Sequence, residues 1–274
     1  MAKVEGTKIA VGGEGIRVSS SANLTIVANV VTGSDEAVSL TRTHDVSVAG
    51  NNVSKGSQGI VVKDSSRVTI VHNALSDNSA NGMILSYVDN STVEGNRITR
   101  SAFRAIVLFD SSDIMLSRNR IVGSGEECLY VLYGARNSIV ENEISSCKWG
   151  GISVKTSDDN VIIGNSVAVT PWGIVLSESC GNLIARNHVA NATVSISVPS
   201  DCNVVTRENP SRSAVREIEL SIPQGRASDC SYDITWRQEA YIWAIAHLSR
   251  LYARRITPVD RPLTQARFSG FLVS

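Results

Sequence analysis

Gly173-Ile174-Val175-Leu176, followed eight residues later by Ile184-Ala185-Arg186-Asn187-His188-Val189, is the stretch on which the fold turns. Its apolar residues alternate with polar ones, a strand period, and its asparagine is one of a series. Asn29, Asn51, Asn73, Asn96, Asn119, Asn142, Asn165, Asn187 and Asn209 recur every 22 or 23 residues. Thirteen places before each stand Ile16, Val38, Ile60, Met83, Ile106, Leu129, Ile152, Ile174 and Ile196. Two places further on come Val18, Leu40, Val62, Leu85, Leu108, Val131, Val154, Leu176 and Val198. At 42% hydrophobic residues, one such column filled nine times by chance has odds of roughly one in a few thousand. Two more columns are apolar in every unit but the last, Ile26 to Ile184 three before the asparagine and Val31 to Val189 two after it.

A unit of this length, with strand periodicity and turns of Gly, Ser, Asn and Asp, holds three short strands. It reads as one coil of an all-β, single-stranded right-handed parallel β-helix of about nine coils. Coils stacked about 4.8 Å apart make a rod about 40 Å long. An inward asparagine at each bend is predicted to bond local backbone and the amide of the next coil, satisfying groups the interior cannot hydrate. A Ser-rich column eight before it (Ser21, Ser65, Ser111, Ser157, Ser179) predicts a second corner.

The pattern Gly-Ile-x-Val/Leu … Ile-x-x-Asn-x-Ile over residues 13–209 resembles the right-handed parallel β-helix repeat proteins. That group holds pectate lyases, polygalacturonases, mannuronan epimerases and NosD-like periplasmic proteins. The resemblance specifies the scaffold, while activity lives in grafted sites. Asp158-Asp159 invites comparison with the polygalacturonase acid pair, but it falls in a turn column with Asp45, Asp89, Asn90 and Asp113. The Gly-His-Gly and Arg-Ile-Lys segments of that family are absent, as is the Arg-x-Pro of pectate lyases. Thr43-His44-Asp45 is only a weak echo of the epimerases' Asp-Pro-His.

Composition narrows the roles further. Net charge is zero, although residues 210–274 hold nine Arg, no Lys and six acids, so nucleic-acid binding is not expected. No run of 18 apolar residues exists to span a membrane. Val4, Thr7 and Ile9 occupy the apolar, asparagine and apolar columns of a partial first coil within residues 1–12. Met1 to Gly6 carry no hydrophobic signal segment; if a leader has been removed, the resemblance favours an extracytoplasmic setting. Beyond 209 the period stops, and Thr235-Trp236-Arg237-Gln238 predicts a helix near 236–255 in a C-terminal extension, 210–274. Either that helix or the open edge of the first coil would serve an oligomer or partner contact.

Five cysteines are too few and too irregular for a disulfide scaffold. Cys180 and Cys202 share a column, about 5 Å apart in stacked coils, within reach of a disulfide or simply two thiols in a turn. His44, His72, His188 and His247 fall in different columns or coils, so no metal ligand set and no cofactor are expected.

Three surface features rise above the scaffold. An aromatic and acidic column runs nine before the asparagine, Asp64, Tyr87, Asp110, Tyr133, Thr156 and Glu178, flanked by Lys63, Phe109, Tyr130 and Lys155. Flat aromatic faces and carboxylates suit sugars; Asp64 and Asp110, about 10 Å apart, lie just beyond the glycosidase range. Phe103, Trp149 and Trp172 occupy the loop before the first strand, with Arg104, Glu126, Glu127 and Lys148 around them. Arg97, Arg118, Arg120, Glu141 and Glu143 read as cross-strand ion pairs. The substrate-binding candidates are therefore Asp64, Tyr87, Phe109, Tyr130, Phe103, Trp149 and Trp172. Asp110, Tyr133 and Lys155 are the candidates for catalysis. The functional expectation is a module binding polysaccharide or a protein partner. The alternatives are a lyase, hydrolase or epimerase on an acidic glycan, and a NosD-like accessory in metal-site maturation.

Overall fold

The computed structural model describes residues 2–10, 12–198, 200–206 and 209–212, and every regular element among them is a strand. The helix expected near 236–255 lies outside the described residues. All strand pairs are parallel and join residues about one coil apart, as in Met83 with Ile60 and Ile106. The strands form three walls. The first wall holds the Gly-Ile strands, such as Ile106–Phe109, Leu129–Leu132 and Gly150–Lys155. The second holds the strands before the asparagine, such as Met115–Ser117 and Ser138–Val140. The third holds those after it, such as Arg120–Ser124 and Glu143–Cys147.

The four apolar columns fill the interior. Ile60, Leu85, Ile106, Leu116, Ile121 and their counterparts are fully buried. The partial first coil joins the stack: Val4 pairs with Ile26 and Ile9 with Val31. Thr7 stands in for the asparagine, and its N–H donates to Asn29 Oδ1 at 2.9 Å.

The asparagine ladder is continuous. The Asn96 N–H and side-chain amide both donate to Asn119 Oδ1 at 3.0 Å. The Asn119 amide in turn donates to Asn142 Oδ1 at 3.0 Å and to the Val93 carbonyl at 2.9 Å. A second ladder, not foreseen from the sequence, runs beside it through Asn137, Asn160, Asn182 and Asn203. The Ser column marks a corner as expected: Ser157 Oγ accepts from the Gly134 N–H and donates to the Lys155 carbonyl.

Each corner needs residues in the left-handed region, and four columns supply them. They stand nine, six and one before the asparagine and four after it, as in Tyr133 (φ 56°), Arg136 (54°), Glu141 (54°) and Ser146 (59°). Two of these columns carry bidentate Asp–Arg ties between successive coils. Arg67 Nε and Nη2 donate to Asp45 at 2.8 and 2.9 Å, and Arg100 to Asp77 at 2.6 and 2.8 Å. Arg136 grips Asp113 in the same way. The expected charge ladder is present as Arg118–Glu141 at 3.7 Å and Arg120–Glu143 at 3.6 Å, with Arg118 also 3.3 Å from Glu94.

The cysteines depart from the sequence reading. Cys180 and Cys202 are bonded across neighbouring coils, Cα to Cα 5.1 Å. Cys128 and Cys147 form a second disulfide, Cα to Cα 5.5 Å. Column position hid this pair, because its members begin and end a single coil. A closed coil brings its own ends within one strand spacing, so 19 residues of separation still permit the bond.

Candidate functional site: a groove on the first wall

The outward face of the first wall lies between two corners, and the sequence candidates divide between its two rims. On one rim stands the column nine before the asparagine, Asp64, Tyr87, Asp110, Tyr133, Thr156 and Glu178, every member at positive φ. That conformation turns the chain sharply into the second wall, leaving the Tyr87 and Tyr133 rings largely in solvent. Phe109, the last residue of its strand, fits between them edge-on, with ring centroids 5.6 and 5.8 Å away. Asp110 and Tyr133 are neighbours in this column, one coil apart. Lys155, exposed at the end of Gly150–Lys155, gives its carbonyl to the Tyr133 N–H at 3.3 Å.

The opposite rim is the loop entering the first wall. Phe103, Glu126, Trp149 and Trp172 form one column, each N–H donating to the preceding member's carbonyl: 3.2 Å for Glu126 and 3.3 Å for each Trp. Trp149 is 54% and Trp172 44% exposed. With Glu127, Lys148, Gly150, Pro171 and, on the strands, Ser153 and Val175, they line an open-sided concavity of about 390 Å³. That is within the range of small-ligand sites. The asparagine-rim candidates, Asp110, Tyr133 and Lys155 among them, are not in its lining. A six-residue strand separates the rims, about 20 Å at 3.3 Å per residue.

The concavity forms where the coil shortens. Asn142 to Asn165 is 23 residues and Asn165 to Asn187 is 22. The longer coil breaks into Glu143–Cys147 and Gly150–Lys155, whereas the shorter one runs as a continuous strand, Ser166–Ser177. Gly150 therefore pairs with Trp172, and the loop of one coil overhangs the strand of the next. Glycine is required nearby: a Cβ on Gly151 would stand 2.7 Å from the Gly173 carbonyl oxygen.

Charge at this rim is partly neutralised. Arg104 donates from Nε to Glu127 at 2.8 Å and pairs with Glu126 at 2.9 Å, while its guanidinium lies 4.3 Å above the Tyr130 ring. Tyr130 and both glutamates are thereby drawn together by one side chain. The pKa shifts lie elsewhere, on the corner ties: the Arg67 and Arg100 guanidiniums hold Asp45 and Asp77 below the usual carboxylate value.

Residues 1–144 match the family model described as periplasmic copper-binding protein (NosD), and residues 87–211 match that of the right-handed β-helix region. No curated protein matches the sequence. Among solved structures, DFA-IIIase from Arthrobacter chlorophenolicus A6 in complex with GF2 superposes with a TM-score of 0.56 at 16% identity, over 78% of this chain and 59% of that one. The chain thus spans well under two thirds of that enzyme. The AlgE4 A-module, a mannuronan C-5 epimerase of Azotobacter vinelandii, gives 0.54 at 14% identity over 81% of this chain and 83% of that one. At these identities the likeness is one of fold.

Proposed function

Starting from a chain that belongs to the NosD family, we propose that its first wall is a glycan-binding face, with the Trp149–Trp172 cleft as the principal contact. The observation that carries this reading is two half-exposed indoles in successive coils lining one concavity with Lys148, Glu127 and Ser153. Indole faces cover the apolar face of a sugar ring, and the charged and hydroxyl groups beside them answer its hydroxyls. Asp64, Tyr87, Phe109, Tyr130 and Phe103, with Asp110, Tyr133 and Lys155, would touch a longer chain crossing the wall. Two disulfides fit an oxidising, extracytoplasmic setting for such a ligand.

Copper, which the family description names, does not fit the described residues. Copper sites draw on clustered imidazole, thiolate and thioether donors. Here four cysteines are oxidised, Met83 and Met115 are buried, and no group of three His, Cys, Asp or Glu side chains converges among the described residues.

A panel of neutral and uronate polysaccharides in affinity electrophoresis tests the reading. Retardation by at least one polymer is expected, weakened about tenfold or more by Trp149→Ala with Trp172→Ala. Migration unchanged on every polymer would overturn it, as would full retardation of the double variant.

A further inference from the structure

The Cys128–Cys147 bond sits directly behind the cleft. Cys128 follows Glu127 in the chain, and Cys147 precedes Lys148 and Trp149, so the two cysteines are sequence neighbours of three lining residues. Both are buried, 0% and 2% exposed. The bond therefore joins the segment carrying one wall of the cleft to the segment carrying the other. The hydrogen bonds between these segments are few: Lys148 N–H to the Ser124 carbonyl at 3.0 Å, Trp149 N–H to the Glu126 carbonyl at 3.3 Å, and Cys128 N–H to the Gly150 carbonyl at 2.9 Å.

The repeat itself supplies a control. One coil earlier the same two columns hold Ala105 and Ser124, and that coil closes without a covalent bond. Closure of a coil does not require the disulfide, yet it occurs in the coil that supplies Glu127, Lys148 and Trp149. The Cys180–Cys202 bond differs, linking two turns of neighbouring coils whose residues do not line the cleft.

We infer that Cys128 and Cys147 are positioning residues of the cleft, their bond fixing Glu127 against Lys148 and Trp149 so that a sugar meets a preformed site. This rests on the glycan-binding reading above. Preorganisation strengthens binding by lowering the ordering cost on association.

Two double variants test the inference. Cys128→Ala/Cys147→Ser installs the residues of the preceding coil, and Cys180→Ser/Cys202→Ser is the control. Each is compared with wild type by glycan affinity and by amide hydrogen exchange. The first variant is expected to bind about tenfold more weakly and to exchange faster at 124–128 and 147–150, with the neighbouring coils unchanged. The control is expected to stay within about twofold of wild-type affinity. Wild-type protein treated with a thiol reductant gives the same exchange comparison without substitution. Unchanged exchange at 124–128 and 147–150, in variant and reduced protein alike, overturns the inference. So does quickened exchange with unchanged affinity. If wild type binds no polymer, the glycan reading fails on its own, and the exchange arm alone decides whether the bond positions these segments.

Discussion

A single side chain can be weighed here because each has counterparts one coil above and below. Asn119→Ala would leave the Asn96 N–H and the Val93 carbonyl unpaired in the interior. Unfolding in denaturant should show a loss on the order of 1–3 kcal/mol; an unchanged midpoint would contradict the inward ladder. Val169 offers the opposite case. It is 55% exposed at φ 55°, a β-branched residue in the left-handed region. The next coil places Asn191 there. Val169→Asn should therefore stabilise by about 1 kcal/mol, read as a raised midpoint of thermal unfolding. Neither the second asparagine ladder nor the left-handed columns could be read from the repeat. The corner columns hold Tyr, Asp, Arg, Thr and Glu indifferently, because their side chains point outward and the backbone conformation is imposed by stacking. The inward columns were legible because a closed interior admits only apolar residues or an asparagine that bonds along the stack.

At the scale of strands and corners, the outward rows decide how neighbouring coils are tied. The Asp45–Arg67 and Asp77–Arg100 pairs lie in corner columns, and both carboxyls are held below their usual range by the guanidinium hydrogen bonds. A depressed carboxyl stabilises the fold above its unfolded pKa, about 4, and loses that contribution as pH falls through the lower folded value. The melting difference between wild type and Asp45→Asn/Asp77→Asn should accordingly be present at pH 7 and shrink away below about pH 4. A difference that persists at pH 2 would mean the aspartates act through something other than charge. The two rims of the groove were each visible in the sequence as columns. Their placement on opposite ends of the same strands was not, since column arithmetic gives stacking along the rod and not the direction of a corner.

For the described stack taken whole, stability should follow phase. Leu85 pairs with Val62 and Met83 with Ile60, so removing residues 62–84 joins Val61 to Leu85 with every column in step. Removing 62–83 instead presents Ile84 where Leu85 belongs, turning an inward strand outward. The first deletion should keep a cooperative thermal transition and a β-sheet circular dichroism spectrum, because coils depend on their neighbours. The second should lose cooperativity. Equal behaviour of the two would mean that the corner loops absorb a one-residue slip.

The step from 23 to 22 residues at Trp172 acts as a dislocation in an otherwise regular lattice of coils. A crystal's reactivity gathers at such faults, and the same geometry here turns a flat wall into a recess without any inserted domain. The recess is then addressed by counting: one glycine added after Trp172 would restore the longer spacing, carry the fault one coil further, and remove the overhang from between the two indoles. Sites on this scaffold could in that way migrate along the rod by single-residue insertions and deletions, leaving the core untouched.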